Sequence, residues 1–554
     1  MPRSLSSRTA AALLLTACGV VPTTFQSDAP DIAGQDVRLT ILHTSDIHSR
    51  LLPYDFDPSF TDNQLGLADG LGSYGGIARI GHILKREREK AGRVLHLDSG
   101  DCFQGAIIFN EYAGEAEMRL LSEVGLNAAV VGNHEFDAGA ATLAEQYSAW
   151  GTFDLLAANY DFEGADLPWA TGLETMVPPS TTYHLDGLKV AVIGMANISS
   201  LNSIYDQSNS LGVRVLEPID VLPREISKLR SNGADIVIVV SHMGLDDDQE
   251  MARTIPGIDI VIGGHHHVAI DPPLVVTNEE TGRRVPVVHS GAFAKFIGRL
   301  DVVIRDGEVL THDYNLFAVD ATVPDDPHIL DIIEEYEREI DTRYNTDQFI
   351  GYACPETMDL DLSCEKLTRY GMDGGDSMLG NFAAEAMRAF PGVETEIALT
   401  NTLGIRADIP AGDITLDDMF NAMPFDNTIA TMLLSGAEVQ ELLDYVSYRS
   451  TERGCASQAQ VAGIRFDMVC DPDDPHAANI EINGEPLLLD SVYELATNDY
   501  IAKGGSGFAV LERNTTKTFT DIAVRDVVIA EIIKVQTLPQ EGIAVEDGRI
   551  NTVY

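Results

Sequence analysis

At 554 residues the chain is longer than one hydrophobic core usually covers, so two or more domains are expected. Its 37 basic residues against 86 acidic ones leave a net charge of −49, which argues against a nucleic-acid polymer as partner: no extended basic patch is there to neutralise phosphates. A small anionic substrate stays open wherever metal ions or an arginine reverse the field locally.

The chain begins with Arg3 and Arg8 ahead of a short apolar run, Ala10 to Leu15, which leads into Leu15-Thr16-Ala17-Cys18. The run is too short to span a bilayer, and small residues before a cysteine suit a signal peptidase. The stretch resembles a bacterial lipoprotein signal. That resemblance implies removal of the residues before Cys18, a lipid on Cys18 as the membrane anchor, and export to the periplasm or cell surface. Gly19 is not the aspartate associated with inner-membrane retention, which points to the outer membrane. A plain secretory signal with an incidental cysteine is the alternative, and it too exports the chain. Residues 19–35, rich in Pro, Thr, Ser, Asp and Gly, read as a flexible tether.

From Val37 onward, apolar runs alternate with helix-like segments at 76–90, 116–124 and 218–229, while 51–75 reads as a long surface loop. Five of the runs end in metal-ligand residue types. Val37 to Thr44 is followed by Asp46 and His48, Arg93 to Leu97 by Asp101, and Ala128 to Val131 by Gly132-Asn133-His134-Glu135-Phe136-Asp137. Ile236 to Val240 is followed by His242, and Ile258 to Ile262 by Gly264-His265-His266-His267. If the five strands lie parallel in one sheet, these side chains converge on one edge.

Ile329, Ile332, Ile333, Tyr336 and Ile340 fall at helical spacing after Pro324 and Pro327, which predicts an amphipathic helix over 327–344. Composition changes after it and cysteines appear, giving a first domain over 36–323, a linker over 324–349 and a second domain over 350–554; the alternative is that 327–344 is an ordinary helix of the first domain. The second domain has its own α/β pattern: a strand from Glu396 to Thr400 leads into Asn401-Thr402-Leu403-Gly404-Ile405-Arg406, and Thr415/Asp418 and Ser435/Glu438 have capping-box spacing. Phe425 follows, and Tyr500 precedes the loop Lys503-Gly504-Gly505-Ser506-Gly507-Phe508. An exported chain favours two local disulfides, Cys354 to Cys364 and Cys455 to Cys470, although four cysteines permit three pairings and a zinc site competes. Cys102 reads as buried packing, and His43 and His289 as structural.

Divalent metals of hard or borderline character take oxygen and imidazole ligands, and Asp46, His48, Asp101, Asn133, His242, His265 and His267 supply seven. The blocks carrying them resemble, in order, those of the calcineurin-like metallophosphoesterases, and the second section resembles the C-terminal domain of bacterial 5′-nucleotidases and UDP-sugar hydrolases. The resemblance implies a four-layer α/β/β/α sandwich followed by an α/β nucleotidase-type domain. It implies two divalent ions, Zn²⁺, Mn²⁺ or similar, one on Asp46, His48 and His267, the other on Asn133, His242 and His265, with Asp101 bridging. His134 is then the acid or transition-state stabiliser, oriented by Asp137, and His266 is not a ligand. Phe425 and Tyr500 match the aromatic base clamp, Asn401 and Arg406 the substrate-binding Asn and Arg, and domain rotation is part of the family's cycle.

Three departures stand out. Leu403 replaces a glycine, Ser506 replaces the acidic residue that contacts ribose, and Asp373, Gly374 and Gly375 stand where relatives carry another arginine. The activity implied is release of phosphate from a nucleoside 5′-monophosphate. Its alternatives are 2′,3′-cyclic nucleotide phosphodiesterase, UDP-sugar hydrolase, a sulfur-oxidation thiohydrolase and, from another class, a catalytically silent nucleotide-binding lipoprotein.

Overall fold

The computed structural model describes residues 30–554 apart from 57, 68–69, 71, 163–167, 199–212, 356–363 and 541. The signal, Cys18 and the tether up to residue 29 therefore lie outside the described residues.

Two six-stranded sheets make the first lobe. One runs in the order Glu308–Ala318, Phe296–Arg305, Val37–Thr44, Val94–Asp98, Ala128–Val130, Asp154–Leu156, and its last four strands are parallel. The other runs Leu274–Thr277, Arg284–His289, Ile260–Gly263, Ile236–Ser241, Leu188–Met195, Ser180–Leu185, with the middle four parallel. The strands that end in candidate ligands are thus divided three and two between the sheets, so the one-sheet condition is not met, while the paired sheets agree with the four-layer sandwich that the resemblance implies. The cause is visible in the strand Ile236–Ser241. Ile236, Ile238 and Val240 join the core between the sheets, whereas Val237 and Val239 pack with Leu222, Ile226 and Met251 of the outer helices. A strand buried on both faces has a continuous apolar sequence that carries no record of which sheet it joins.

Helices Ile77–Arg88, Glu115–Glu123 and Pro327–Tyr344 cover the first sheet, and Pro218–Ser231 and Leu245–Thr254 the second, completing four layers. Pro327–Tyr344 buries Ile329, Ile332, Ile333, Tyr336 and Ile340 in the first lobe's core, and the Asp326 carboxylate caps it by accepting from the N–H groups of His328 and Ile329. The stretch 51–75 is less open than a surface loop. Ser59 and Asp62 form a capping box for a short helix, Phe60–Gln64, and Leu67 and Tyr74 are buried.

The second lobe is built on a five-stranded sheet, Ala459–Ala462, Ile397–Asn401, Val492–Asn498, Thr428–Ser435, Thr518–Ala523, with one core on each face. Thr415 with Asp418 and Ser435 with Glu438 form reciprocal capping boxes at the starts of Leu416–Ala422 and Gly436–Thr451. Cysteines 354 and 364 are bonded, as are 455 and 470, while Cys102 is buried and free.

Candidate metal centre and substrate cleft

The ends of five strands, three from one sheet and two from the other, meet over a small volume. Asp46, His48 and His267 each bring a ligand atom within 4.8 Å of the others, and so do Asp101, His242 and His265. His48 Nε2 lies 3.0 Å from His267 Nε2, and His267 Nε2 lies 3.5 Å from Asp46 Oδ1. Asp101 stands between the groups, its Oδ2 at 4.0 Å from His48 Nε2 and 3.0 Å from His242 Nε2. Five of the seven residues (Asp46, His48, Asp101, His265 and His267) have positive φ, between 49° and 75°. Strain of this kind in non-glycine residues gathers where a site over-determines the backbone.

The surrounding chain fixes these side chains. His48 donates from Nδ1 to Gln104 O at 2.8 Å and His242 from Nδ1 to Ser99 O at 2.5 Å, which leaves each Nε2 directed to the centre. Asp46 accepts from the Ser45 hydroxyl at 2.7 Å and from the His265 N–H at 3.1 Å. The Glu135 carboxylate accepts from the N–H groups of Gly132, Asp101 and Cys102 at 2.6, 3.1 and 2.7 Å, tying two ligand loops together. Gly132 has no alternative, because a Cβ there would stand 2.2 Å from Asp101 Oδ1.

The donors fit two divalent ions. Asn133 Oδ1 is buried with no hydrogen-bond partner, and His242 Nε2 faces Asp101 at 3.0 Å without hydrogen-bond geometry. An unpaired buried polar atom is costly unless something else satisfies it. Burial, followed by the nearby Arg406 charge, holds His48 well below the usual imidazole range; burial and then His48 do the same for His267. Burial and His242 bring His265 down to about 3. Neutral imidazoles are the form that binds metal. Burial pushes Asp46 up to about 6, and His242 goes up to about 10 because Asp101 outweighs the opposing effect of burial. Both shifts mark a place where the carboxylates call for positive charge.

His134 also lies within ligand distance of His48 and Asp101, but its Nδ1 is 2.6 Å from Asp137 Oδ2 and its N–H donates to Asp101 Oδ1 at 2.8 Å. Its pKa is raised: burial opposes this, and Asp137 and Asp101 prevail. His266 accepts from the Leu245 N–H through Nδ1 and belongs to neither ligand group. His43 pairs with the Tyr314 hydroxyl and His289 with Asp248 inside the lobe.

A cleft of about 730 Å³ opens from the centre and is lined by both lobes. Asn401, Arg406, Phe425 and Tyr500 all reach it, as do Leu403 and Ser506. Arg406 Nη2 stands 3.3 Å from His48 Nε2, and its guanidinium carbon is 5.9 Å from the Phe425 ring centre. Phe425 in turn lies 6.3 Å from the His134 ring. Asn401 is also structural, accepting from Asn498 Nδ2 at 2.7 Å.

Three further arginines, Arg369, Arg449 and Arg453, line the same cleft and are absent from the sequence-based site. Arg369 donates to Arg406 O at 2.6 Å, so the segment preceding Gly380 does supply a guanidinium despite Asp373, Gly374 and Gly375. No sequence signal singled them out: the chain has 37 basic residues, and only the fold brings four arginines into one cavity. Glu135, though inside a recognised block, had no role that spacing alone could assign.

Imidazole and carboxylate groups placed to hold two ions, beside a cleft lined by four arginines, define a metal-dependent phosphoester hydrolase. Residues 39–269 match the calcineurin-like phosphoesterase family, and residues 356–513 match the 5′-nucleotidase C-terminal domain. The chain is 26% identical to a 5′-nucleotidase of Diplobatis ommata over 88% of its own length and 86% of that protein's. It is 27% identical to a trifunctional nucleotide phosphoesterase of Bacillus subtilis over 85% of its length and 32% of the other's. A solved 5′-nucleotidase precursor from Thermus thermophilus superposes with a TM-score of 0.82 at 27% identity, covering 93% of this chain and 99% of that one. The chain belongs to the family that joins a calcineurin-like phosphoesterase domain to a 5′-nucleotidase C-terminal domain. Such enzymes use two divalent metal ions.

Proposed function

We propose that this chain is an exported 5′-nucleotidase, releasing phosphate from nucleoside 5′-monophosphates. The observation that carries the reading is Arg406: a guanidinium of the second lobe stands 3.3 Å from a metal-ligand candidate of the first and beside an aromatic ring. A phosphate at the metals and a base at the ring would be joined by that arginine. The relatives' printed names, 5′-nucleotidase and nucleotide phosphoesterase, support the same substrate class.

Asp46, His48 and His267 would hold one ion and Asn133, His242 and His265 the other, with Asp101 shared. When bound, such ions draw charge from phosphoryl oxygens and make water more acidic. His134, protonated and oriented by Asp137, donates to the phosphoryl group or the departing oxygen. Arg406 holds phosphate oxygens by charge-assisted hydrogen bonds, and Phe425 and Tyr500 stack on the base. Removal of the residues before Cys18, with lipid on Cys18, would place the enzyme in an oxidising exterior, where the two disulfides persist.

A second reading, 2′,3′-cyclic nucleotide phosphodiesterase or UDP-sugar hydrolase, is favoured by one observation: Ser506 gives the cleft a hydroxyl where a carboxylate would bind ribose hydroxyls strongly. The test is phosphate release by the chain lacking residues 1–18, supplied with Mn²⁺ or Zn²⁺, on AMP, UDP-glucose, 2′,3′-cyclic AMP and a nucleoside-free aryl phosphate. A preference for AMP that Arg406→Ala removes, with aryl phosphate turnover retained, is the expected result. Equal rates on AMP and the aryl phosphate would end the nucleotidase reading.

A further inference from the structure

The four cleft arginines form two pairs. Arg406 and Arg369 belong to the metal end: Arg406 reaches His48, and Arg369 holds the Arg406 carbonyl. Arg449 and Arg453 belong to the end that carries Tyr500 and Ser506. Arg449 Nη1 donates to Ser506 O at 2.6 Å, and Ser506 Oγ lies 3.1 Å from the Tyr500 hydroxyl. The reacting phosphoryl group accounts for the first pair and leaves the second without a function.

The second pair is poorly explained as structure. Arg449 lies in the last turn of Gly436–Thr451, where one cation is favoured by the helix dipole. Arg453, just past the Glu452 C-cap, adds like-charge repulsion with Arg449 instead. Arg449 Nε is buried with no hydrogen-bond partner, and the Arg453 guanidinium makes neither a hydrogen bond nor an ion pair among the described residues. Glu452, the nearest acid in sequence, accepts from the Tyr448 hydroxyl at 2.7 Å. Burial and the Arg449 charge hold Arg453 below the usual guanidinium range, so the pair is unfavourable as it stands. Arg449 gives one N–H to Ser506 O, and Glu452 lines the cleft beside the pair without an ion pair to either; in a chain with 86 acidic residues, two cleft cations that make no ion pair among the described residues point to an anion brought in from outside.

What carries that anion follows from chemistry. A nucleobase is uncharged at neutral pH, whereas the ribose 2′ and 3′ oxygens can each carry a phosphate. Resting on the nucleotidase reading, we propose that Arg449 and Arg453 form a second anion subsite. The substrates it adds are nucleoside 2′,5′- or 3′,5′-bisphosphates, held by the ribose phosphate while the 5′-phosphate is hydrolysed. Water's oxygen forms the new bond to phosphorus as the bond to O5′ breaks; O5′ takes up a proton, and inorganic phosphate leaves with a nucleoside 2′- or 3′-monophosphate.

The test compares kcat/KM of the mature holoenzyme on AMP, adenosine 3′,5′-bisphosphate and adenosine 2′,5′-bisphosphate, with products separated by chromatography. The wild type is expected to prefer one bisphosphate over AMP by about tenfold or more, and which isomer wins identifies the hydroxyl. Arg453→Gln should lower kcat/KM for that bisphosphate by about 10- to 100-fold, the range for losing a charged hydrogen bond, while AMP changes by less than about threefold. Arg449→Gln should act in the same direction, but it also frees Ser506 O, so Arg453→Gln is the cleaner variant. No preference in the wild type, or equal losses on AMP and the bisphosphate in Arg453→Gln, overturns the subsite. Failure of the wild type on AMP with turnover of aryl phosphate would instead reject the nucleotidase reading beneath it.

Discussion

Asp101 is held from several directions at once, by His134 N–H at its Oδ1, by His242 at its Oδ2 and by Glu135 at its backbone. Glu135 receives three backbone N–H groups, one of them from Asp101 itself. Glu135→Gln turns one acceptor oxygen into a donor facing those N–H groups, so the Asp101 loop must shift. The expected outcome is a 10- to 100-fold loss of metal affinity, about the usual cost of disturbing a ligand's support. Titration with a competing chelator measures it, and unchanged affinity would remove Glu135 from that role. Asp137 supports His134 in a different way, through the 2.6 Å contact that orients the ring and favours its imidazolium form. Asp137→Asn should lower kcat by about 10²-fold or more, within the usual range for general acid catalysis, while metal content by elemental analysis stays that of the wild type. A loss that follows metal content would instead make His134 a ligand.

At the scale of elements, the helix Pro327–Tyr344 shows how a local signal becomes a measurable contribution. Its Asp326 cap has a pKa below the usual carboxylate value: burial opposes this, but the N–H groups of Ile329 and His328, and Lys85, outweigh it. A lowered folded pKa means that the stabilisation is present above the unfolded value of about 4 and is lost as pH falls through the folded one. Asp326→Ala should therefore cost about 1 kcal/mol at pH 7, and the gap from wild type should shrink by pH 3 in urea unfolding. A gap independent of pH would mean that the carboxylate is not the cap. This helix was legible to the residue because one face is apolar and the other solvated. The same holds for Thr415 and Ser435, whose caps are local. The sheet assignment of Ile236–Ser241 was not legible, since both of its faces are buried and the sequence looks the same whichever sheet it joins. The cluster of candidate ligands was readable because each follows its strand within a few residues. Arg369, Arg449 and Arg453 were not, because an arginine's lack of a carboxylate partner exists only in the folded chain.

Over the whole molecule the two lobes meet at the cleft that Arg369, Arg406, Arg449 and Arg453 line. Arg406 approaches His48, Asn110 Nδ2 donates to Pro424 O and Asp426 Oδ2 at 2.9 Å, and Arg50 reaches Asn421, so three side chains bridge the lobes. A chain of net charge −49 holds four arginines in one cleft beside the Asp46 and Asp101 carboxylates that ions would neutralise, so metal removal tests several of these relations together. Chelation should abolish turnover, leave far-UV circular dichroism unchanged and lower Tm, since a ligand at 100 times its Kd stabilises by about 2.7 kcal/mol. The pH dependence has a definite sign. Without metal, burial holds Asp46 at about 6, above its unfolded value, so its contribution is full below about 4 and is lost as pH rises through 6. His242, raised to about 10, keeps its proton across that interval and does not offset the loss. Bound ions supply the missing positive charge, and between pH 5 and 7 they bind more tightly as Asp46 gives up its proton, which a metal would otherwise have to displace. The Tm difference between metal-loaded and chelated protein should therefore be larger at pH 7 than at pH 5. An equal or smaller difference at pH 7 would mean that Asp46 is not neutralised by the ions and that the donor set assigned to them is wrong.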